Sequence, residues 1–508
     1  MNEQWTELFA NLPAYLGGHM LLSMTALAAA LAISLPLGVV ASRRPKLAES
    51  FLAIAGVVQT VPSLALLVLM MLLLGGLTGF WPAFLTLVVY SVLPILANTV
   101  IGIRGVDPTL TEAAMGLGMN DRQKLWRVEL PLAAPVILGG IRTATVMIVG
   151  TATLATSVAA DSLGNYIFAG LATLNHTATM FGCVTTALLA IGLDQLVHLL
   201  EVAARRRSKS LAFVALTGLL LVTSFGLYGP MKSWLAGGDN RVVIASTTYT
   251  EQYILSHVLA HNLETAGFRA DRREGMAYGL QFMAVRDNEV DCMITYSGDV
   301  WSMLMKRTDI ENPELTEKEV TRFLNEEFGG VVCLGKLGFD NRYALAVAEG
   351  KKKEWNVTSI ADLVQYAKKQ GLTLKIGGDK GVFHRQEWLR LKQKYDLQHV
   401  ETKTSDQAIT YPAVVNGEVH AIIVYTSDAW IKKFKVEELE DPERVFPPYD
   451  AILLVSPAAA QRPKLRQTLE QMLGKIDQET IMKANGLVDL EHKSFQFAAE
   501  WIQQGERP

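Results

Sequence analysis

Residues 112–131 read EAAMGLGMNDRQKLWRVELP. Charged side chains (Glu112, Asp121, Arg122, Lys124, Arg127, Glu129) and two glycines stand here between long apolar segments. Hydrocarbon does not tolerate such a run, so it marks a water-exposed loop between spans. Working outward, six apolar windows approach the roughly 20 residues that a helix needs to cross a bilayer. They are about 20–42, 51–75, 81–103, 132–156, 177–203 and 211–229. Positive charges follow the first window (Arg43, Arg44, Lys46), the third (Arg104, Arg122, Lys124, Arg127) and the fifth (Arg205, Arg206, Arg207, Lys209). Positions 76–80 and 157–176 carry none. Basic loops stay in the cytoplasm. The N-terminus, and everything beyond the sixth span, is therefore expected outside. The fold expected for residues 1–230 is an all-α membrane domain of six transmembrane helices, with its cytoplasmic loop at 104–131.

The average composition hides a split. Residues 1–230 hold 12 of the 47 Lys and Arg and 10 of the 50 Asp and Glu. The rest of the chain is charged like an ordinary soluble domain, and no basic stripe points to nucleic acid. The cysteines (Cys183, Cys292, Cys333) lack metal-ligand spacing. Cys292 and Cys333 would pair in an oxidising space or stay as two buried thiols. The N-terminal segment lacks the basic start of a cleavable signal peptide. It reads as a short interfacial helix with Trp5, Phe9 and Tyr15 at headgroup level. Pro62, with Gln59 and Thr60, interrupts the second span, and Pro94, with Asn98, the third; these are kinks or the lining of a pathway. Asp194 in the fifth span is a functional candidate or a structural ion-pair partner.

From Val242 the pattern changes. VVIAST, CMITYS, ALAVAE, LKIGG, AIIVYTS and AILLVSP are compact β-rich runs separated by amphipathic helices such as TEQYILSHVLAHNLETAG. Alternation of this kind predicts parallel sheets with helices on both faces. The length suits two α/β lobes around a cleft: lobe 1 at about 241–338 and 452–508, lobe 2 at about 339–451, after a linker at 231–240.

The opening stretch now has a place. Thr111 is expected to cap a helix carrying Glu112 in its first turn. Small residues there leave a surface that another body can approach, so the loop reads as a docking surface or as a merely amphipathic connection. Glu112-Ala113-Ala114, then Gly118, then Val128 and Leu130-Pro131 resemble the coupling-loop signature of binding-protein-dependent ABC importer permeases, with Val in place of Ile. The resemblance implies that Glu112, Ala113, Ala114, Gly118, Leu130 and Pro131 couple the spans to a separate cytosolic ATPase. No G-x-x-x-x-G-K-[ST] phosphate loop occurs in the chain, and ATP and Mg would be bound by that partner.

IASTTYTEQYI, NEVDCMITYSGDVW, GFDNRYALAV, VYTSDAW and FPPYDA resemble the osmoprotectant-type binding proteins for glycine betaine, choline, carnitine and related compounds. The order of permease then binding domain in one chain occurs in that family, ergothioneine-binding members included. A trimethylammonium head donates no hydrogen bond and is held by aromatic faces. The resemblance implies a cage of Tyr296, Tyr343, Tyr425 and Tyr449, each at or just past the end of a β-run. Asp299 and Asp428 would attract the cation or cap helices, and Trp301 would be a fifth wall or core. Arg385 matches the family's arginine after the GGD strand and would grip a ligand carboxylate or form a surface ion pair. Thr248 and Thr250 offer hydroxyls at the start of a helix.

The reading is a fused permease and receptor of an ABC importer: a bacterial inner-membrane, homodimeric transport subunit with no catalytic residues, metal or cofactor of its own. An anchored sensor would need a cytoplasmic output domain. For a membrane enzyme, no G-x-S-x-G, H-E-x-x-H or Cys-Xaa-Xaa-Cys motif is present.

Overall fold

The computed structural model describes residues 3–505 except 173–174, 236–239, 277–278, 308, 310–312, 380, 398–399 and 406. Two compact units emerge: Met1–Asp239 with Arg273–Leu280, and Asn240–Arg272 with Gln281–Pro508.

In the first unit, α1 (Glu3–Arg43) is one unbroken helix. The interfacial segment expected at its start is therefore continuous with the first span, because neither Pro13 nor the Gly17-Gly18 pair ends it. The second apolar window is instead broken. Its halves, α2 (Pro45–Thr60) and α3 (Ser63–Leu73), meet at 103°. The following helices are α4 (Phe80–Arg104), α5 (Pro108–Gly116), α6 (Asp121–Lys124), α7 (Leu130–Ala152), α8 (Gly164–Ala172), α9 (His176–Arg206) and α10 (Lys209–Leu235). Among the described residues five helices are long and apolar enough to span, or six if the bent pair counts as one. Lipid offers no partner for the backbone groups freed at such a bend. Tyr90 of α4 supplies one: its hydroxyl donates to the Val61 carbonyl, and the Gln59 side chain ties the bend to α4 by donating its Nε2–H to the Tyr90 carbonyl at 3.1 Å. Pro94 does not interrupt α4, contrary to the sequence reading; Asn98 Nδ2 donates to its carbonyl at 2.8 Å. Close packing of α4 on α7 requires Gly140, where a Cβ would lie 2.6 Å from that same carbonyl. Asp194 is taken up by Arg142, whose Nη2 donates to Oδ2 at 2.7 Å. α10 continues through Leu235 into the expected linker, and 236–239 lie outside the described residues.

The second unit contains two five-stranded sheets. One has the order β2-β1-β3-β10-β4, from β1 (Arg241–Ala245), β2 (Arg269–Arg273), β3 (Cys292–Tyr296), β4 (Val332–Asp340) and β10 (Asp450–Val455). The other has the order β7-β6-β8-β5-β9, from β5 (Tyr343–Val347), β6 (Leu374–Gly378), β7 (Val400–Thr404), β8 (Ala421–Tyr425) and β9 (Glu437–Glu438). The sheets are mixed rather than parallel as expected. β10 runs antiparallel to β3 and β4, and β5 antiparallel to β8 and β9. These are the strands that carry the chain across between sheets, so each enters its sheet from the far end. β10 also separates the cysteines: Cys292 pairs with Val455 on one side and Cys333 with Leu454 on the other. Strands two apart in a sheet lie roughly 9–10 Å from each other, beyond disulfide reach. Both thiols are free. After β1, α11 (Thr250–Thr265) is buried along most of its length and ends before Gly267, which takes φ +86°.

Candidate functional site

The chain passes between the two sheets at 340–343 and returns at 438–450. Aromatic residues collect at these crossings. Tyr343 opens β5 and faces Tyr425, the last residue of β8, as its cross-strand partner. Their ring centroids lie 4.8 Å apart, and Tyr449 stands edge-on to Tyr343 at 5.8 Å. Phe446 flanks the group at 6.3 Å. The hydroxyls are anchored on the outside. Tyr425 donates to Asp379 at 2.7 Å, Tyr449 to Glu387 at 2.5 Å, and the Tyr343 hydroxyl lies 3.3 Å from that of Tyr425. Burial raises the pKa of all three phenols, so they remain neutral rings.

The YSGD turn after β3 closes against this group. Gly298 is required here: a Cβ would come 2.6 Å from the Tyr449 ring. Ser297 Oγ donates to the Pro448 carbonyl and accepts from Asp450 N–H, both at 3.1 Å. Asp299 lies inside the helical turn rather than capping it. Its buried carboxylate meets Arg385 at 3.6 Å. The Arg385 guanidinium in turn lies over the Tyr343 ring, 5.4 Å from its centroid. The three rings therefore share one locality with a cation, Arg385, and with the carboxylates Asp299, Asp379 and Glu387.

Other expected site residues stand elsewhere. Tyr296 ends β3, but its hydroxyl donates to the buried Glu251 and accepts from Gln252 Nε2 at 3.4 Å. Among the described residues no ring contact joins it to the other three tyrosines. Glu251 also accepts from Asn485 Nδ2 at 2.9 Å and Asn341 Nδ2 at 3.3 Å. Asp428 accepts from Tyr411 at 2.8 Å and from the Trp430 N–H at 3.0 Å, which gives it a local structural role. Thr250 donates to Asp489 at 2.7 Å, and Thr248 is half-buried in the loop after β1. Trp301 is core: fully buried, with its indole N–H donating to the Asp309 carbonyl at 2.8 Å. Asp379, Glu387 and Phe446 were not anticipated. Tyr249, half-exposed where α11 begins, feels the charges of Arg385, Asp379 and Asp299 and was missed as well.

The loop at 104–131 folds into α5, a turn and α6. Asp107, not Thr111, caps α5: it accepts from the Thr109 N–H at 2.8 Å, while the Thr111 hydroxyl turns back to the Pro108 carbonyl. Gly118 takes φ +78° at the turn. Around it Glu112, Ala113, Met115, Gly116, Leu117 and Trp126 are exposed, with Leu117 at 81%. Ala114 is buried beneath them, and Leu130-Pro131 begin α7.

An apolar helical unit with an exposed small-residue loop, joined to a two-sheet unit with an aromatic cluster at its crossing, defines a permease fused to its own receptor. Residues 240–504 match the substrate binding domain of ABC-type glycine betaine transport system, and the chain belongs to that family. Residues 34–210 match the binding-protein-dependent transport system inner membrane component. The chain is similar to the ergothioneine transport permease/ergothioneine binding protein EgtU of Helicobacter pylori (strain G27), with 28% identity covering 91% of this chain and 85% of that protein. It is also similar to the choline transport system permease protein OpuBB of Bacillus subtilis (strain 168), with 44% identity over 37% of this chain and 84% of that protein. A solved glycine betaine/carnitine/choline ABC transporter structure aligns over 52% of this chain and 97% of that chain, at 20% identity and a TM-score of 0.47. The protein is thus a transport subunit of an ABC importer, multi-pass in the membrane.

Proposed function

We propose that the second unit captures a quaternary ammonium compound on the faces of Tyr343, Tyr425 and Tyr449, and that the first unit forms its path across the bacterial inner membrane. The observation that carries this reading is the grouping of three buried neutral phenols with Arg385 and Asp299. Opposite charges beside aromatic faces suit a zwitterion: the rings and Asp299 attract the methylated nitrogen, and Arg385 receives a carboxylate. Glycine betaine, carnitine and ergothioneine fit this pattern, whereas choline uses only its cationic half. Two copies of the chain with two cytosolic ATPases docked at 112–131 make the importer, and ATP and Mg are held by those partners. The distribution of basic residues supports placing the N-terminus and the receptor outside. Calorimetric titration of the full-length chain with glycine betaine, carnitine, ergothioneine and choline tests the reading. Binding of at least one of them, weakened by loss of a cluster tyrosine, supports it; no binding of any refutes it.

A further inference from the structure

The segment after α6 is not a hinge of loose chain. Residues Leu125–Glu129 form a single π-helical turn, in which the Leu130 N–H reaches back to the Leu125 carbonyl, and α7 follows without a break. Such widened turns recur at functional positions in helices. Glu129, the last residue of the turn, is 3% exposed. Its carboxylate is gripped by Arg43 at the end of α1: Nη1 donates to Oε1 at 2.9 Å, and Nη2 donates to Oε2. Arg104, the last residue of α4, donates to the α1 carbonyls of Ser42 at 3.1 Å and Ala41 at 3.0 Å. Thus α1, α4 and α7 are joined at one end, and a fork of two hydrogen bonds links α1 to the π turn.

A two-pronged guanidinium–carboxylate pair fixes orientation as well as distance. A force on 112–124 therefore has two outlets. One runs along the continuous helix into α7, and the other passes through Glu129 to α1. We propose that Arg43 and Glu129 are positioning residues of the transport cycle, forming a strut that carries displacement of the coupling loop into α1, with the π turn as its joint. This rests on the reading of 112–131 as the ATPase dock, in which the exposed residues make the contact and the buried Glu129 does not.

The test uses the complete transporter, isolated with its ATPase and reconstituted in liposomes. Uptake of radiolabelled glycine betaine, carnitine, choline and ergothioneine is measured per ATP hydrolysed. Glu129→Gln is near-isosteric, and Arg43→Lys keeps the charge but loses the fork. Each is expected to keep ATPase recruitment and ligand affinity while lowering uptake per ATP by roughly 2- to 30-fold, the range of coupling energies carried by single contacts. The exchanged pair Arg43→Glu with Glu129→Arg should recover part of the loss, and single variants that lose uptake per ATP at an unchanged melting temperature separate the strut from a purely structural ion pair. A coupled wild type whose single variants keep its ratio overturns the strut alone. A wild type that recruits no ATPase or takes up none of the four compounds overturns the importer reading and the strut with it.

Discussion

Replacing Arg385 by Ala separates the two halves of the recognition chemistry. The guanidinium faces the buried Asp299 carboxylate at 3.6 Å and covers the Tyr343 ring at 5.4 Å. For a ligand with a carboxylate, the substitution removes a charge-assisted hydrogen bond worth about 1.5–3 kcal/mol. That corresponds to roughly a 10- to 150-fold rise in Kd for glycine betaine. Choline has no carboxylate to lose. It gains instead an uncovered Tyr343 face and an Asp299 carboxylate no longer opposed by Arg385, so its Kd should stay level or fall. Loss of the Arg385 contact to the buried Asp299 costs stability in the free protein, and Arg385→Ala combined with Asp299→Asn controls for that. Calorimetry with both ligands on the full-length chain gives the answer. Equal losses for glycine betaine and choline would refute the clamp.

Four further outcomes follow from the same structure. Tyr343→Leu should weaken quaternary-amine binding by about 2 kcal/mol, roughly 30-fold, while Tyr343→Phe stays close to wild type; similar Kd values for both in titration would remove the aromatic face as the cause. Tyr296→Phe strips a hydrogen bond from the buried Glu251 and should lower thermal stability by about 1–3 kcal/mol with little effect on Kd; a large change in affinity at unchanged melting temperature would return Tyr296 to the ligand. Burial raises Asp489 to about 7 and Asp428 to about 6, so the folded state holds protons that the unfolded state releases; the associated stability is full below the ordinary carboxyl range and lost as pH rises through 6 to 7, so unfolding scans from about pH 5 to pH 8 should show a falling midpoint that Asp489→Asn flattens, against which a flat or rising wild-type profile would count. Leu117→Asp, at the exposed tip of the coupling loop, should abolish recovery of the ATPase in pull-downs while ligand binding persists; undiminished recovery would move the dock elsewhere.

How much was legible depended on how local each feature is. The runs VVIAST, CMITYS, ALAVAE, LKIGG, AIIVYTS and AILLVSP correspond to β1, β3, β5, β6, β8 and β10, because continuous apolar runs of that length suit buried strands. β2 (RADRR) and β7 (VETKT) escaped notice because they are polar strands at sheet edges, and β4 carries glycines at φ +144° and +122°. Pro62 announced a break in the second span, but the 103° bend depends on Tyr90, 29 residues away from Val61. Strand direction was misjudged because a run of apolar residues says nothing about the end from which it enters a sheet. In the candidate site, the motifs of Tyr343, Tyr425 and Tyr449 mark strand ends, and the three rings lie together. Tyr296 was misjudged because a strand end offers two faces, and the buried Glu251 takes its hydroxyl. Asp379 closes the GGD run that marks the strand before Arg385, but the run alone does not say that its carboxylate accepts from Tyr425, and nothing near Glu387 distinguishes it from the other acidic residues of a soluble domain.

Receptor and channel here are one polypeptide, and that changes the arithmetic of delivery. A free-floating receptor must find its channel by diffusion and compete with unloaded copies for it. A tethered one meets its channel at an effective concentration on the order of millimolar for a short connection. The docking surfaces between the two can then be weak, which favours rapid release and repeated loading. Each copy of the membrane unit also carries its own receptor in fixed stoichiometry.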